Sequence, residues 1–233
     1  MAGNSIPYIL HIETATDICS LALSKGALMI DLLEKVNTRD HASVLTVMVD
    51  ELMSRNRLKM HHLNAVVLSE GPGSYTSLRV GMSTAKGICY GLGVPLIAIN
   101  TLESMAEGAK QSDSESELIC SMVDARRMEV YASVFDRRGN KLLDNQAIIL
   151  EEGLFDSYLE DYSGILLCGN GSVKAREVFQ GQNYRFSDLQ HSAKFLVELG
   201  FSQYVENNFV DLAYFSPNYI KSPNITKAKK KLL

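Results

Sequence analysis

The same order of predicted elements occurs twice along this chain, and this repeat constrains the fold more than any single motif does. The first half predicts three strands, a helix, a strand and a helix, at 8–13, 19–24, 28–33, 41–55, 65–69 and 76–90. The second half predicts the same series at 118–124, 129–135, 141–150, 151–160, 165–168 and 173–179. The residue letters do not repeat, so the two halves share an architecture rather than a sequence.

Strands that begin as a meander and then alternate with helices form a mixed sheet flanked by helices. Two such units in tandem predict an α/β protein of two ribonuclease H-like lobes, the actin-like, Hsp70-like and sugar-kinase-like (ASKHA) fold. The polar stretch QSDSESE marks the boundary, so we expect an N-terminal lobe at residues 1–110 and a C-terminal lobe with a terminal tail at 111–233. Folds of this class hold nucleotide in the cleft between their lobes.

Composition and charge argue against several classes of protein. With 46% hydrophobic and 21% charged residues, the chain has an ordinary globular composition. A net charge of −4 argues against a protein that binds nucleic acid by itself, although the tail is rich in lysine from Lys227 to Lys231. No run predicts a membrane span, and the start MAGNSIP lacks a signal-peptide pattern. We expect a cytoplasmic protein with buried, reduced thiols at Cys19, Cys89, Cys120 and Cys168.

The two loops that would hold nucleotide depart from a working pattern. Working members of the class end the first strand of each half in an acid, and the glycine, serine and threonine residues that follow cradle phosphate with their amides. Here Arg126 and Arg127 follow the second acid, and such bulky residues keep the backbone away from phosphate. Alternatively, both acids merely cap strand ends and pair with nearby arginines or amides. We expect no bound cofactor, and the residues of the degenerate site are Glu13, Thr14, Thr16, Asp124, Gly169 and Gly171.

Metal-binding and hydrolase motifs do not occur in the sequence. His61 and His62 are adjacent, and neighbouring positions on a helix point about 100° apart, which suits chelation poorly. The sequence contains no His-Glu-x-x-His motif, no Gly-x-Ser-x-Gly elbow and no Gly-Lys-Ser/Thr phosphate loop. We therefore expect no metal site and no catalytic residues.

The stretch GPGSYTSLRVGMSTAKGICYG at 71–91 predicts a tight turn followed by a helix. The side chain of Ser74 is suited to accept a hydrogen bond from the first helical turn. Gly81 and Gly87 lie inside the helix at a cost of roughly 1 kcal/mol each, which suggests that another backbone approaches this helix closely. A turn that binds phosphate at the helix start is the alternative.

The helix predicted at 41–55 is apolar on two sides, so it is either buried within its own domain or covered by a partner. Its two sides are Ala42, Leu45, Val49 and Leu52, and opposite them Val44, Val47, Met48 and Met53. We expect this helix and the glycine-rich helix to form a dimer face, where Gly81 and Ala85 admit a partner helix. The expected interface residues are His41, Val44, Leu45, Val47, Met48, Tyr75, Leu78, Arg79, Gly81, Met82, Ala85 and Lys86.

Four stretches of the chain carry a family likeness: ILHIETATDICSLAL, RDHASVL, EGPGSYTSLRVGMSTAKGI and VDARRMEVYASVF. Through them the chain resembles the TsaB (YeaZ) family over nearly its whole length. The family writes the third stretch as GPGS(F/Y)TGLR(I/V)G, which is highly specific. Three positions depart from the family pattern: Glu13 stands where many members have Asp, Ser77 where most have Gly, and Lys221 where Arg is common.

The resemblance implies a function. TsaB is a non-catalytic paralogue of TsaD, and the two form a heterodimer through helices of the N-terminal lobe; TsaB alone often forms a homodimer by the same face. With the ATPase TsaE, the heterodimer transfers threonylcarbamoyl from its adenylate to adenosine 37 of tRNAs that read ANN codons. The resemblance therefore implies contact with tRNA through the complex and no catalysis by this chain alone.

Two other functions compete with that of a scaffold subunit. An autonomous ATPase or small-molecule kinase of the same fold would need a competent phosphate loop after Asp124, which the following arginines argue against. A peptidase, suggested by the family's older glycoprotease-like label, would need a nucleophile paired with a base, and the sequence offers no such pair.

Overall fold

The computed structural model of the protein describes residues 6–36, 41–110 and 112–221. It contains two five-stranded mixed sheets. The strands of the first sheet are β1 Tyr8–Glu13, β2 Cys19–Lys25, β3 Leu28–Lys35, β4 Leu63–Ser69 and β5 Leu96–Ile99. Those of the second are β6 Leu118–Asp124, β7 Glu129–Asp136, β8 Lys141–Ile149, β9 Ile165–Cys168 and β10 Tyr184–Phe186.

The two sheets have the same topology. The first runs β3-β2-β1-β4-β5, and the second, taken from its far edge, runs β8-β7-β6-β9-β10. In each sheet the central strand pairs antiparallel with the next strand in sequence and parallel with a later one, so that Ile12 of β1 faces both Leu21 and Leu68. The predicted tandem of ribonuclease H-like lobes, and with it the ASKHA fold, is confirmed.

Among the described residues, six α-helices accompany the sheets: α1 His41–Arg55, α2 Tyr75–Leu92, α3 Thr101–Ala109, α4 Asp156–Leu159, α5 Ser172–Ala175 and α6 Leu196–Val205. Helices α1 and α2 cover one face of the first sheet, where Leu45 and Met82 join a core with Leu10 and Leu21. No helix among the described residues is long and apolar enough to cross a membrane.

Two helices pack on the sheet of the other half of the chain. Helix α3 precedes the second sheet in sequence, yet its Met105 packs with Ile119 and Leu166 of that sheet. Helix α6 follows the second sheet, yet its Leu196 packs with Val67 of the first. A division of the chain at residue 110 stays a prediction, and side-chain packing crosses that division in both directions.

The prediction from sequence missed one strand and overestimated two helices. β10 has three residues at the edge of its sheet, too few for a visible alternation of polar and apolar positions. The helices predicted at 151–160 and 173–179 are the single turns α4 and α5, and the residues around them form turns instead. The lysine-rich tail lies outside the described residues.

Candidate functional site

Glu13 ends the central strand of the first sheet and is fully buried. Its Oε1 accepts hydrogen bonds from the Ala15 amide at 2.6 Å and from the Ser69 hydroxyl at 2.9 Å. Its Oε2 and the Thr14 hydroxyl have no hydrogen-bond partner among the described residues. Loss of hydration raises the pKa of Glu13 to about 7 because it outweighs these hydrogen bonds, which favour the charged form.

The chain's own glycine-rich stretch closes the loop after β1. The Ser74 amide donates to the Ala15 carbonyl at 2.7 Å. A Cβ placed on Gly73 would lie 2.4 Å from that same carbonyl oxygen, and one on Gly81 would lie 2.3 Å from the Thr14 hydroxyl oxygen. Backbone of this chain approaches Gly73, whereas the helix glycine Gly81 is approached by side chains of this chain and Gly87 by no atom within 4 Å. The space beside the loop is therefore filled by the chain itself.

Lys174 closes the second loop. Its ammonium donates to Asp124 Oδ1 at 2.6 Å, to the Arg127 carbonyl at 2.7 Å and to the Glu129 carbonyl at 2.5 Å, so all three of its protons are used. Asp124 Oδ1 also accepts the Arg126 amide at 2.8 Å. Asp124 therefore pairs with a lysine and an amide. This resembles the alternative given above, in which the acid caps its strand, except that the partner is a lysine and not an arginine.

Gly169 and Gly171 serve packing on β6. A Cβ on Gly169 would lie 2.3 Å from the Met122 carbonyl oxygen, and one on Gly171 would lie 2.9 Å from Met122 Cβ. Between them, the side-chain oxygen of Asn170 accepts the Asp124 amide at 2.9 Å. Within the described part of the chain, no three His, Cys, Asp or Glu side chains gather into a group that could hold a metal ion.

Replacing Glu13 with glutamine is expected to remove a dependence of stability on pH. The pKa of Glu13 is about 7 in the folded protein against an ordinary value of 4.5, so the folded state holds its proton more tightly than the unfolded state. The stability that this group contributes is therefore present below pH 4.5 and is lost as pH rises towards 7. The loss amounts to about 3 kcal/mol at roughly 1.36 kcal/mol per pKa unit.

Urea unfolding of the wild type and Glu13→Gln between pH 5 and 8 measures this loss as a difference. Burial lowers the pKa of His11 to about 3 and that of His191 to about 4, so both proteins lose stability as pH falls below 6.5. This contribution cancels in the comparison. The variant should gain on the wild type as pH rises, and parallel profiles would contradict the assignment.

The expected interface stays a prediction, and only part of it lies on the surface of the described chain. Because the inner sides of α1 and α2 face their own sheet, residues there are buried within the described chain and offer no surface to a partner. Gly81 in particular packs on Thr14 of its own chain. Those buried are His41, Leu45, Met48, Leu78, Gly81, Met82 and Ala85. Those exposed or half-buried are Val44, Val47, Tyr75, Arg79 and Lys86.

An open groove of about 430 Å³ runs between the outer sides of α1 and α2. Beside it, the Arg79 guanidinium lies over the Tyr75 ring, 4.6 Å from its centroid. Most of the groove was not predicted from the sequence, although Thr76, Val80, Ser83 and Thr84 repeat at helical spacing on α2. We call this the α1–α2 groove, lined by Ala42, Tyr75, Thr76, Arg79, Val80, Ser83 and Thr84.

Known proteins match this chain in sequence and in structure. The family model for TsaD, tRNA N6-adenosine threonylcarbamoyltransferase, matches residues 34–232. The tRNA threonylcarbamoyladenosine biosynthesis protein TsaB of Escherichia coli is 33% identical over 132 residues, which span 57% of this chain and 56% of that protein. TsaB of Haemophilus influenzae is 26% identical over 226 residues, which span 92% of this chain and 93% of the relative.

Among solved structures, YeaZ from Pseudomonas aeruginosa superposes with a TM-score of 0.76 at 22% identity, covering 91% of this chain and 99% of YeaZ. A second Pseudomonas aeruginosa structure, described as similar to peptidase YEAZ, has a TM-score of 0.79 at 22% identity and covers 92% of this chain and all of that one. These two similarities establish the fold. The chain belongs to the TsaD family and, within it, to the TsaB (YeaZ) family.

Proposed function

We propose that this chain is a non-catalytic scaffold subunit in the biosynthesis of threonylcarbamoyladenosine in tRNA. In this proposal it pairs with TsaD, works with TsaE, and supports transfer of threonylcarbamoyl to adenosine 37 of tRNAs that read ANN codons. Family membership supports the pathway, because the relatives in Escherichia coli and Haemophilus influenzae carry that biosynthetic name. The match spans little more than half of the Escherichia coli protein, at 56%.

One observation carries the non-catalytic role: both loops of the degenerate site are filled by the chain itself. The first loop is closed by the backbone at Gly73 and by the packing of Gly81 on Thr14. In the second, the Lys174 ammonium sits between the Asp124 carboxylate and two carbonyl oxygens. A phosphate group approaching either loop would have to displace these contacts.

Reconstitution tests the proposal. The purified chain, TsaD and TsaE of the same organism would be combined with threonylcarbamoyl adenylate and an unmodified tRNA, and the modified nucleoside would be measured by mass spectrometry. We expect product from the three proteins together and none when this chain is omitted. Full activity of TsaD and TsaE without the chain would contradict the scaffold role.

The same preparation tests the alternative of an autonomous ATPase or kinase. The isolated chain should hydrolyse no ATP above a buffer control, because the glycine-rich stretch closes its first loop and the Lys174 ammonium closes its second. Sustained hydrolysis that Asp124→Asn abolishes would favour the enzyme instead. A wild type and variant that are equally inactive agree with the proposal.

A further inference from the structure

Arg126 and Arg127 form an unusual pair on the loop between β6 and β7. Both adopt the left-handed backbone conformation, with φ of 73° and 51°. Both are exposed, and neither guanidinium has a hydrogen bond, ion pair or ring contact with any residue in the described ranges. Two consecutive non-glycine residues in this conformation are strained, and such strain persists where the surroundings hold it in place.

The surroundings of this loop do hold it. The Lys174 ammonium binds the Arg127 carbonyl from within, at 2.7 Å. The Ala125 amide donates to the Glu129 carbonyl at 3.1 Å, and the Leu150 amide donates to the Met128 carbonyl at 2.8 Å. The two guanidinium groups are therefore attached to a fixed backbone, which lowers the entropic cost of binding a ligand.

One more basic group lies next to this loop. Lys221 forms an ion pair with Glu129, which is two residues beyond Arg127. We call the surface formed by Arg126, Arg127 and Lys221 the arginine-loop surface.

The arginine-loop surface carries net positive charge on a protein whose net charge is −4. The two carboxylates nearest to the arginine pair in sequence are already paired with lysines, since Asp124 pairs with Lys174 and Glu129 pairs with Lys221. The charge of Arg126 and Arg127 is thus not balanced locally within the described chain.

We propose that the arginine-loop surface binds the phosphate backbone of RNA, with the arginine pair as its main contact. The inference rests on the proposed function, in which tRNA is the substrate of the complex. Guanidinium groups bind phosphate oxygens in a bidentate manner, and the fixed loop presents two of them with no carboxylate partner among the described residues. The competing partner is a carboxylate-rich protein surface; for such a partner the variant would weaken assembly with TsaD and leave tRNA affinity unchanged.

The test measures binding of fluorescein-labelled, unmodified tRNA to the assembled complex of this chain with TsaD, by anisotropy over a series of KCl concentrations. The variant Arg126→Gln/Arg127→Gln should bind tRNA about tenfold more weakly. Its slope of log K against log salt should be smaller by about 1 for each phosphate that the variant no longer neutralises. Assembly with TsaD should be unchanged.

A matched control removes two exposed arginines elsewhere: Arg57→Gln/Arg138→Gln. Arg57 shares the left-handed conformation, with φ of 55°, and follows α1 before β4, at the far end of the first sheet from Glu13. Arg138 lies in the β7–β8 turn, at the far end of the second sheet from Asp124. The control carries the same change in net charge, and its affinity should stay within about twofold of the wild type.

The variant Arg126→Gly/Arg127→Gly separates loss of the guanidinium groups from disturbance of the loop, because glycine adopts positive φ without strain. Equal tRNA affinity of wild type and both loop variants would overturn the inference while leaving the proposed function intact. Loss of TsaD association with unchanged tRNA affinity would also overturn it, in favour of an acidic protein partner. A wild-type chain that joins no TsaD complex, or a complex that binds no tRNA, would refute the proposed function and this inference with it.

Discussion

Replacing Gly81 with leucine is expected to destabilise the protein by about 3 kcal/mol or more, lowering its melting temperature by about 10 °C. A Cβ alone at this position would lie 2.3 Å from the Thr14 hydroxyl oxygen and 3.3 Å from Leu68 Cδ1. Both neighbours are fully buried, so a larger side chain must push α2 away from the end of β1. The destabilisation comes from overpacking within the chain itself and not from the absence of a partner.

Gly87→Leu is the matched control on the same helix. A Cβ on Gly87 meets no atom within 4 Å, and the position is exposed. The substitution should therefore stabilise the protein by roughly 0.5–1 kcal/mol through helix propensity. Thermal and urea unfolding of the two variants measure the contrast. Equal stability of Gly81→Leu and Gly87→Leu would show that α2 has room at Thr14.

Replacing Ser83 with tryptophan is expected to weaken association with TsaD about 100-fold, which is ~2.7 kcal/mol, while the melting temperature stays unchanged. Ser83 lines the α1–α2 groove and is exposed, so the indole fills the groove without entering the chain's own core. If the isolated chain forms a homodimer by the same face, that dimer should be abolished as well.

Ser202→Trp makes the same substitution at an exposed position of α6, on the opposite face of the first sheet. This control should bind TsaD as the wild type does. Calorimetric titration measures the affinity for TsaD, and light scattering measures self-association. If Ser83→Trp binds TsaD as tightly as the wild type, the partner surface lies outside the groove.

The sequence of α2 already distinguishes its two glycines, although the prediction of a dimer face did not use this distinction. Gly81 lies three residues after Leu78 and four before Ala85, on the inner face of the helix, whereas Gly87 lies on the outer face. Helical spacing alone thus separates a glycine required by the core from one that is free to vary. The architecture of two lobes was predictable because strand and helix periodicity is local.

Contacts between segments that are distant in sequence could not be predicted. The bond between Lys174 and Asp124 exists because β9 and β6 are neighbours and α5 follows β9, and no spacing in the sequence signals it. The same holds for α3 and α6, since an apolar helix face does not reveal which sheet it covers.

The positions of α3 and α6 set an order for folding on the ribosome. Helix α3 is synthesised before the second sheet, so one of the helices that cover that sheet is available as soon as its strands emerge. The first sheet ends with β5 at Ile99, but the helix that covers Ile9 and Val67 begins at Leu196. At a translation rate of about 5–20 residues per second, that apolar face of the first sheet stays uncovered for on the order of ten seconds during synthesis. The half of the protein translated first is therefore the half completed last, and a nascent chain paused within this interval is a client for chaperones.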